Sequence, residues 1–286
     1  MRAPIGIRTG TFQRSRTGPP GPKSPSGSRR GVEPLAAHPA ASTCDGMTLN
    51  RTEPATESRE RLKALLSFEE RPMSLGSRTI ETGDGHAIER LQFRLPDGAQ
   101  ARGFLVRPAR VAEPPPAILL AHAHGGRYEI GARELIDGRP AWLDPPGLAL
   151  ARRGFVALSI DMPTFGSRSG VTESAAAKAA LWHGRTLFGQ MLGEQAAALT
   201  WLAARPDVDQ ARIGMVGISM GATLAYFLAA LDPRVAAVAH LCCYADFTTL
   251  VETDAHDLHG DYLTVPGCCA RPRPAPSPGW SRRARS

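Results

Sequence analysis

Ser219 is the residue whose setting most directly implies chemistry. It lies in Arg212-Ile213-Gly214-Met215-Val216-Gly217-Ile218-Ser219-Met220-Gly221, where a short apolar run breaks at Gly-x-Ser-x-Gly and passes into the apolar stretch Ala222 to Leu231. A strand turning sharply into a helix holds such a serine in a strained conformation, its hydroxyl beyond the strand end and beside the positive helix N-terminus. Small residues at 217 and 221 let neighbouring backbone come close. The chemistry served is nucleophilic attack by the Ser219 hydroxyl. The pattern alone arises readily in a chain with 29 glycines, and a plain strand-to-helix turn is the competing reading. Its position between an apolar strand and an apolar helix argues for the nucleophile.

The elements that must position Ser219 follow from hydrophobic patterning. Glu57 to Glu70 reads as an amphipathic helix ended by Pro72, with Leu62, Leu65 and Leu66 on one face. Ile88 to Leu95 and Ala101 to Arg107 read as strands joined by the turn Pro96-Asp97-Gly98. Ala117 to Ala121 is a continuous apolar run, as a buried parallel strand would be, and leads into His122-Ala123-His124-Gly125-Gly126. Pro146 to Arg153 reads as a helix, and Phe155 to Ile160 as a second buried strand ending at Asp161-Met162-Pro163. Glu173 to Ala204 has a helical pattern that Gly184, Gly189 and Gly193 weaken or kink. Val235 to Leu241 is a further buried strand. Strands alternating with helices specify an α/β fold, a mostly parallel sheet covered by helices on both faces.

Composition divides the chain into three. Residues 1–46 carry seven Pro, seven Gly and seven basic residues against Glu33 and Asp45, and residues 268–286 carry five Arg, four Pro and no acid. Both tails are expected to be disordered, with a globular domain at 47–267. The net charge of +7 resides in the tails, +5 each, which leaves 7 − 10 = −3 for the middle. A nucleic-acid-binding reading of the whole chain therefore fails. No apolar run approaches membrane-spanning length. The N-terminus lacks the apolar core of a secretory signal, and its Pro and Gly oppose the amphipathic helix of a transit peptide, so the cytoplasm is the expected location. Cys44, Cys242, Cys243, Cys268 and Cys269 show no C-x-x-C spacing for a metal or redox pair. Cys242 and Cys243 read as small core residues, and no metal or cofactor is expected.

Three motifs in order, Ala121-His122-Ala123-His124-Gly125-Gly126, Asp161-Met162-Pro163-Thr164-Phe165-Gly166 and Gly217-Ile218-Ser219-Met220-Gly221, carry a resemblance across residues 75–267. The chain resembles the α/β-hydrolases, and within them the serine-nucleophile branch of the dienelactone hydrolase and acetyl esterase group. The true dienelactone hydrolases use cysteine, so Ser219 departs from them. The resemblance implies a carboxylic-ester hydrolase acting on a small-molecule ester through an acyl-enzyme on Ser219. Its oxyanion would be held by the backbone N–H of Met220 and one from Gly125-Gly126, with glycine required there because a side chain would crowd the oxyanion. His124, which precedes the nucleophile on that loop, reads as a turn-stabilising residue. A non-catalytic binding domain and a peptidase of the same fold are the alternatives.

The resemblance fails after Leu241. The fold's order is nucleophile, acid, histidine, with the acid usually after the second strand beyond the nucleophile and the histidine after the third. One strand follows Ser219 before the composition turns Arg/Pro-rich, so the last strands are expected to be missing and the enzyme to be inactive or impaired. Asp246 could supply the acid and His256 or His259 the base. The other reading of these residues is a cap and two solvated histidines. His183 and Arg185 are placed either on a pocket wall or on the surface.

Overall fold

The computed structural model describes residues 55–242 and 244–269. The expectations for the tails, Met47, Cys44 and Cys243 lie outside them, except at Cys268 and Cys269.

The chain enters on α1 (Ala55–Leu66). That helix ends earlier than Pro72 requires, because Ser67 takes a left-handed φ of 51°. Three antiparallel strands follow, β1 (Ser74–Thr82), β2 (His86–Arg94) and β3 (Gln100–Pro108). β2 alternates buried and half-exposed residues as a one-sided strand should. β1 has no sequence counterpart above. It is exposed along its whole length and shows no alternation to read.

The parallel part of the sheet comprises β4 (Ala117–Ala121), β5 (Val156–Ile160), β6 (Ile213–Ile218) and β7 (Ala237–Leu241), and the full order is β1-β2-β3-β5-β4-β6-β7. β3 runs antiparallel to β5, while β5, β4, β6 and β7 run parallel. Adjacent residues of β4 serve opposite faces. Leu119 joins the larger core, with Phe188, Leu192 and Leu224, and Leu120 joins the smaller one, with Leu135 and Ala157. Burial of each such side chain contributes about 1.5–3 kcal/mol.

Helices cover both faces. α2 (Glu134–Asp137) and α3 (Pro146–Ala151) lie on the smaller core. The larger core takes α4 (Glu173–Trp182), α5 (Leu187–Ala203) and α6 (Met220–Leu231). The single long helix expected at 173–204 is thus two. Gly184 turns left-handed (φ 68°), and Thr186 caps α5 by accepting a hydrogen bond from Gly189 N–H (2.9 Å). Gly189 and Gly193 do not kink α5. They let the backbone of the segment after α1 lie directly on it, since a Cβ at either would come well inside 3.0 Å of the Leu66 or Glu69 carbonyl oxygen.

β7 corrects a second expectation. It was read as buried, yet every residue is exposed, because β7 is the edge of the sheet among the described residues. Its apolar sequence has the composition of an interior strand without the interior position. Cys242 follows it and is exposed rather than in the core. The segment beyond holds α7 (Phe247–Glu252) and two short 3-10 turns. Among the described residues no helix is long and apolar enough to cross a membrane, and no three His, Cys, Asp or Glu gather as a metal site.

Candidate active site

β6 ends at Ile218 and α6 begins at Met220, with Ser219 alone between them at φ 56°, ψ −123°. A non-glycine residue at positive φ is strained and persists only where its surroundings enforce it. Here they do. Ser219 N–H donates to Leu241 O (2.9 Å), continuing the β6–β7 ladder, and its carbonyl accepts from Thr223 N–H (3.1 Å), starting α6. A Cβ at Gly217 would overlap the Gly221 backbone, and one at Gly221 would overlap the Ala121 carbonyl. The two glycines thus let the turn fold against itself and against the end of β4. Ser219 is half-buried, and among the described residues no hydrogen bond reaches its hydroxyl.

Met220 is the first residue of α6, so its N–H is among the helix donors without an intrahelical acceptor. The loop after β4 is held by a buried ion pair absent from the sequence reading. Glu134 accepts from Ala123 N–H (2.8 Å), Trp142 Nε1 (2.8 Å) and Arg139 Nε (2.5 Å). Arg139 in turn donates to the Ala123 and His124 carbonyls (2.7 and 3.2 Å). Gly125 and Gly126 are both left-handed (φ 56° and 67°), which is the reason for glycine at each. At Gly126 a Cβ would meet nothing within 4 Å, so crowding is not the reason there. Gly126 N–H donates to His124 Nδ1 (3.0 Å), which leaves Gly125 as the member of the pair whose N–H is unspent among the described residues.

His124 is engaged at both nitrogens. Because Nδ1 accepts from Gly126, Nε2 carries the proton and donates to Glu173 Oε2 (2.7 Å). Glu173, only 4 % exposed at the start of α4, also accepts from Tyr262 N–H (2.9 Å). Burial pushes its carboxyl up, but hydrogen bonds from His124, the Tyr262 N–H and Tyr128 outweigh it and hold the carboxyl below the usual range. Burial and the adjacent Glu173 push the Tyr128 phenol up. His122 is fully buried, its Nδ1 donating to Ala123 O (3.2 Å) and its Nε2 accepting from Met162 N–H (3.3 Å). Burial lowers its pKa and keeps it neutral. Phe165 stacks on Tyr128 (5.0 Å) and meets His122 at a tilt (5.0 Å) and His124 edge-on (5.2 Å).

A carboxyl with a lowered pKa stabilises the fold above the pKa of the unfolded chain, and that contribution is lost as pH falls from there through the lower pKa of the folded state. Glu173→Gln is therefore expected to lower Tm at neutral pH, with the gap to the parent closing below about pH 4. Melts of both proteins across pH read this directly, and a gap that stayed constant with pH would refute the role.

The acid and base candidates sit elsewhere. Asp246 is exposed and caps α7, accepting from Thr249 N–H (2.9 Å). His256 is exposed and its Nδ1 donates to Leu250 O (3.3 Å), while half-buried His259 ends the same 3-10 turn. No hydrogen bond joins Asp246 to either histidine, or either histidine to Ser219, among the described residues. His183 and Arg185 line a cleft between α4, α5 and the loop after β5.

A mixed sheet with helices on both faces and a strained serine between parallel strand β6 and the helix that follows it define the α/β-hydrolase fold. Residues 97–285 match the model of the X-Pro dipeptidyl-peptidase (S15) family, and the chain belongs to that family. It is 36% identical over 214 residues to a Bacillus subtilis (strain 168) protein provisionally named hydrolase YtaP, covering 73% of this chain and 71% of that protein. The esterase FrsA of Photorhabdus laumondii is 28% identical over 152 residues, which is 52% of this chain and 30% of FrsA. A Bacteroides fragilis crystal structure, provisionally named an acetyl xylan esterase, superposes with a TM-score of 0.55 at 20% identity over 64% of this chain. The chain spans about half of that protein (51%).

Proposed function

We propose that the protein is a carboxylic-ester hydrolase of the α/β-hydrolase class, akin to the serine-nucleophile dienelactone hydrolase and acetyl esterase group, acting on small-molecule esters through an acyl-enzyme on Ser219. The observation that carries this reading is the enforced strain at Ser219, which presents the hydroxyl at the N-terminus of α6. In the proposed step Ser219 Oγ attacks the ester carbonyl and passes its proton to solvent water, which returns a proton to the departing alkoxide. The oxyanion takes hydrogen bonds from the Met220 and Gly125 N–H groups, and collapse expels the alcohol. Asp246, His256 and His259 stay candidates for the acid and base only through a rearrangement of the segment after β7.

The family match supports a second reading, cleavage of a peptide after proline. The site argues for the ester. An amine must be protonated as it leaves, whereas a phenolate departs unaided, and among the described residues no histidine is hydrogen-bonded to Ser219 to supply that proton. The test is mass spectrometry of the protein after exposure to p-nitrophenyl acetate. An acetyl group on Ser219, absent from Ser219→Ala, is the expected result. Labelling elsewhere only, or rapid hydrolysis of Ala-Pro-p-nitroanilide with little acetylation, would overturn the ester reading.

A further inference from the structure

We propose that the cleft between α4, α5 and the loop after β5 binds a small organic acid, its carboxylate held at Arg185, His183 and Arg168. The cleft holds about 520 Å³, within the range of small-molecule sites. Neither Ser219 nor Gly125-Gly126 lines it, so the inference does not depend on the catalytic reading.

Two kinds of wall define the ligand. Ala176, Ala179 and Ala180 of α4, with Leu187 of α5, form an apolar strip. Opposite lie Pro163, Thr164, Ser167 and Arg168. The Arg168 guanidinium is fixed from beneath by the buried Glu194, which takes both its terminal nitrogens, and by Asp161 O (3.4 Å). Thr164 is 3 % exposed, its Oγ1 has no hydrogen-bond partner among the described residues, and it is held at φ 71°, a conformation that β-branched residues rarely adopt.

The charges select the ligand's sign. Arg71, also on the wall, pairs with Asp97 and lies 3.7 Å from Glu194, so the carboxylates of Asp97 and Glu194 balance the two guanidiniums of Arg71 and Arg168. Arg185 and His183, in the turn between α4 and α5, have side chains without ion pairs or hydrogen bonds among the described residues. The lining acid, Glu69, is exposed. Arg185 and His183 are thus the basic side chains of the wall left without a partner among the described residues. A carboxylate would give Arg185 and His183 an acceptor, and a short apolar chain behind it reaches the alanine strip, which an inorganic anion could not do.

Calorimetric titration of the full chain tests this with hexanoate, 1-hexanol and inorganic phosphate as probes. Hexanoate is expected to saturate one site, with hexanol and phosphate each at least about tenfold weaker. Arg185→Ala, at an exposed position that folding does not need, should weaken hexanoate about tenfold or more. Parent-like affinity in Arg185→Ala would place the acid elsewhere and overturn the proposal. So would hexanol binding as tightly as hexanoate, or phosphate matching it.

Discussion

On p-nitrophenyl acetate the protein is expected to acetylate at Ser219 and then turn over slowly, several powers of ten below an enzyme with a complete triad. A serine hydroxyl is a poor nucleophile at neutral pH without a positioned base. Here no hydrogen bond reaches Ser219 Oγ among the described residues, and the two histidines of the loop after β4 have every ring nitrogen engaged. Loss of a triad member costs about 10⁴–10⁶-fold, while the oxyanion donors and substrate binding retain roughly 10³–10⁴-fold over water. The two half-reactions suffer unequally. Acylation expels a stable phenolate, but deacylation must expel the Ser219 alkoxide after attack by an unactivated water, so the acetyl group accumulates. His256→Ala and His259→Ala should leave the slow rate unchanged, because His256 is exposed and bonded to Leu250 O, and among the described residues no hydrogen bond joins His259 to the serine. Fast turnover in the parent that collapses in either variant would show that the segment after β7 swings a base onto Ser219, and the slow-turnover expectation would fail.

What the sequence discloses depends on how local the physical signal is. β4 and β6 run over the same residues in the sequence reading and the structure, because a parallel strand buried on both faces is an unbroken apolar run between polar breaks. β1 was invisible because neither of its faces is buried, and its pairing to β2 rests on the backbone ladder and on the Glu81–Arg90 and Arg78–Glu89 ion pairs, which leave no apolar alternation to read. The break between α4 and α5 did have a signal. Gly184 followed by Thr186 reads as the end of one helix and the cap of the next, but the apolar period runs through both helices and masks it. β7 shows the opposite failure, since apolar composition cannot tell a strand inside a sheet from one at its edge. The position of Ser219 was legible because a nucleophile turn is built from consecutive residues. Glu173 and Glu134 were not. Glu173 reaches His124 across 49 positions and Glu134 reaches Ala123 across 11, and nothing in a carboxylate's immediate neighbours says which distant loop it will hold.

Gly221→Ala should be among the most damaging single-methyl substitutions in the chain. The added Cβ would overlap the Ala121 carbonyl oxygen and come within 2.9 Å of the His122 carbonyl oxygen. Neither wall can retreat. Ala121 is paired to Gly217 in the β4–β6 ladder, and Gly221 belongs to the first turn of α6, fixed by the strained Ser219. Overpacking ordinarily costs about 1–3 kcal/mol, and a clash between two anchored backbones belongs at or above the top of that range, about 3 kcal/mol or more. In a domain of this size that corresponds to a fall in Tm of roughly 6 °C or more. Gly193→Ala is the informative comparison. Inside a helix this change ordinarily gains about 1 kcal/mol, yet here the methyl would strike the Glu69 carbonyl, so a net loss is expected. That loss should be smaller than at Gly221, because Glu69 lies in a connection outside any helix or strand and can shift. Gly170→Ala, with nothing within 4 Å of the new methyl, should stay within about 0.5 kcal/mol of the parent. Urea unfolding of the three variants gives the order directly. If Gly221→Ala unfolded at the parent's midpoint, the close approach of the nucleophile turn to β4 would not be what fixes Ser219 in its strained conformation.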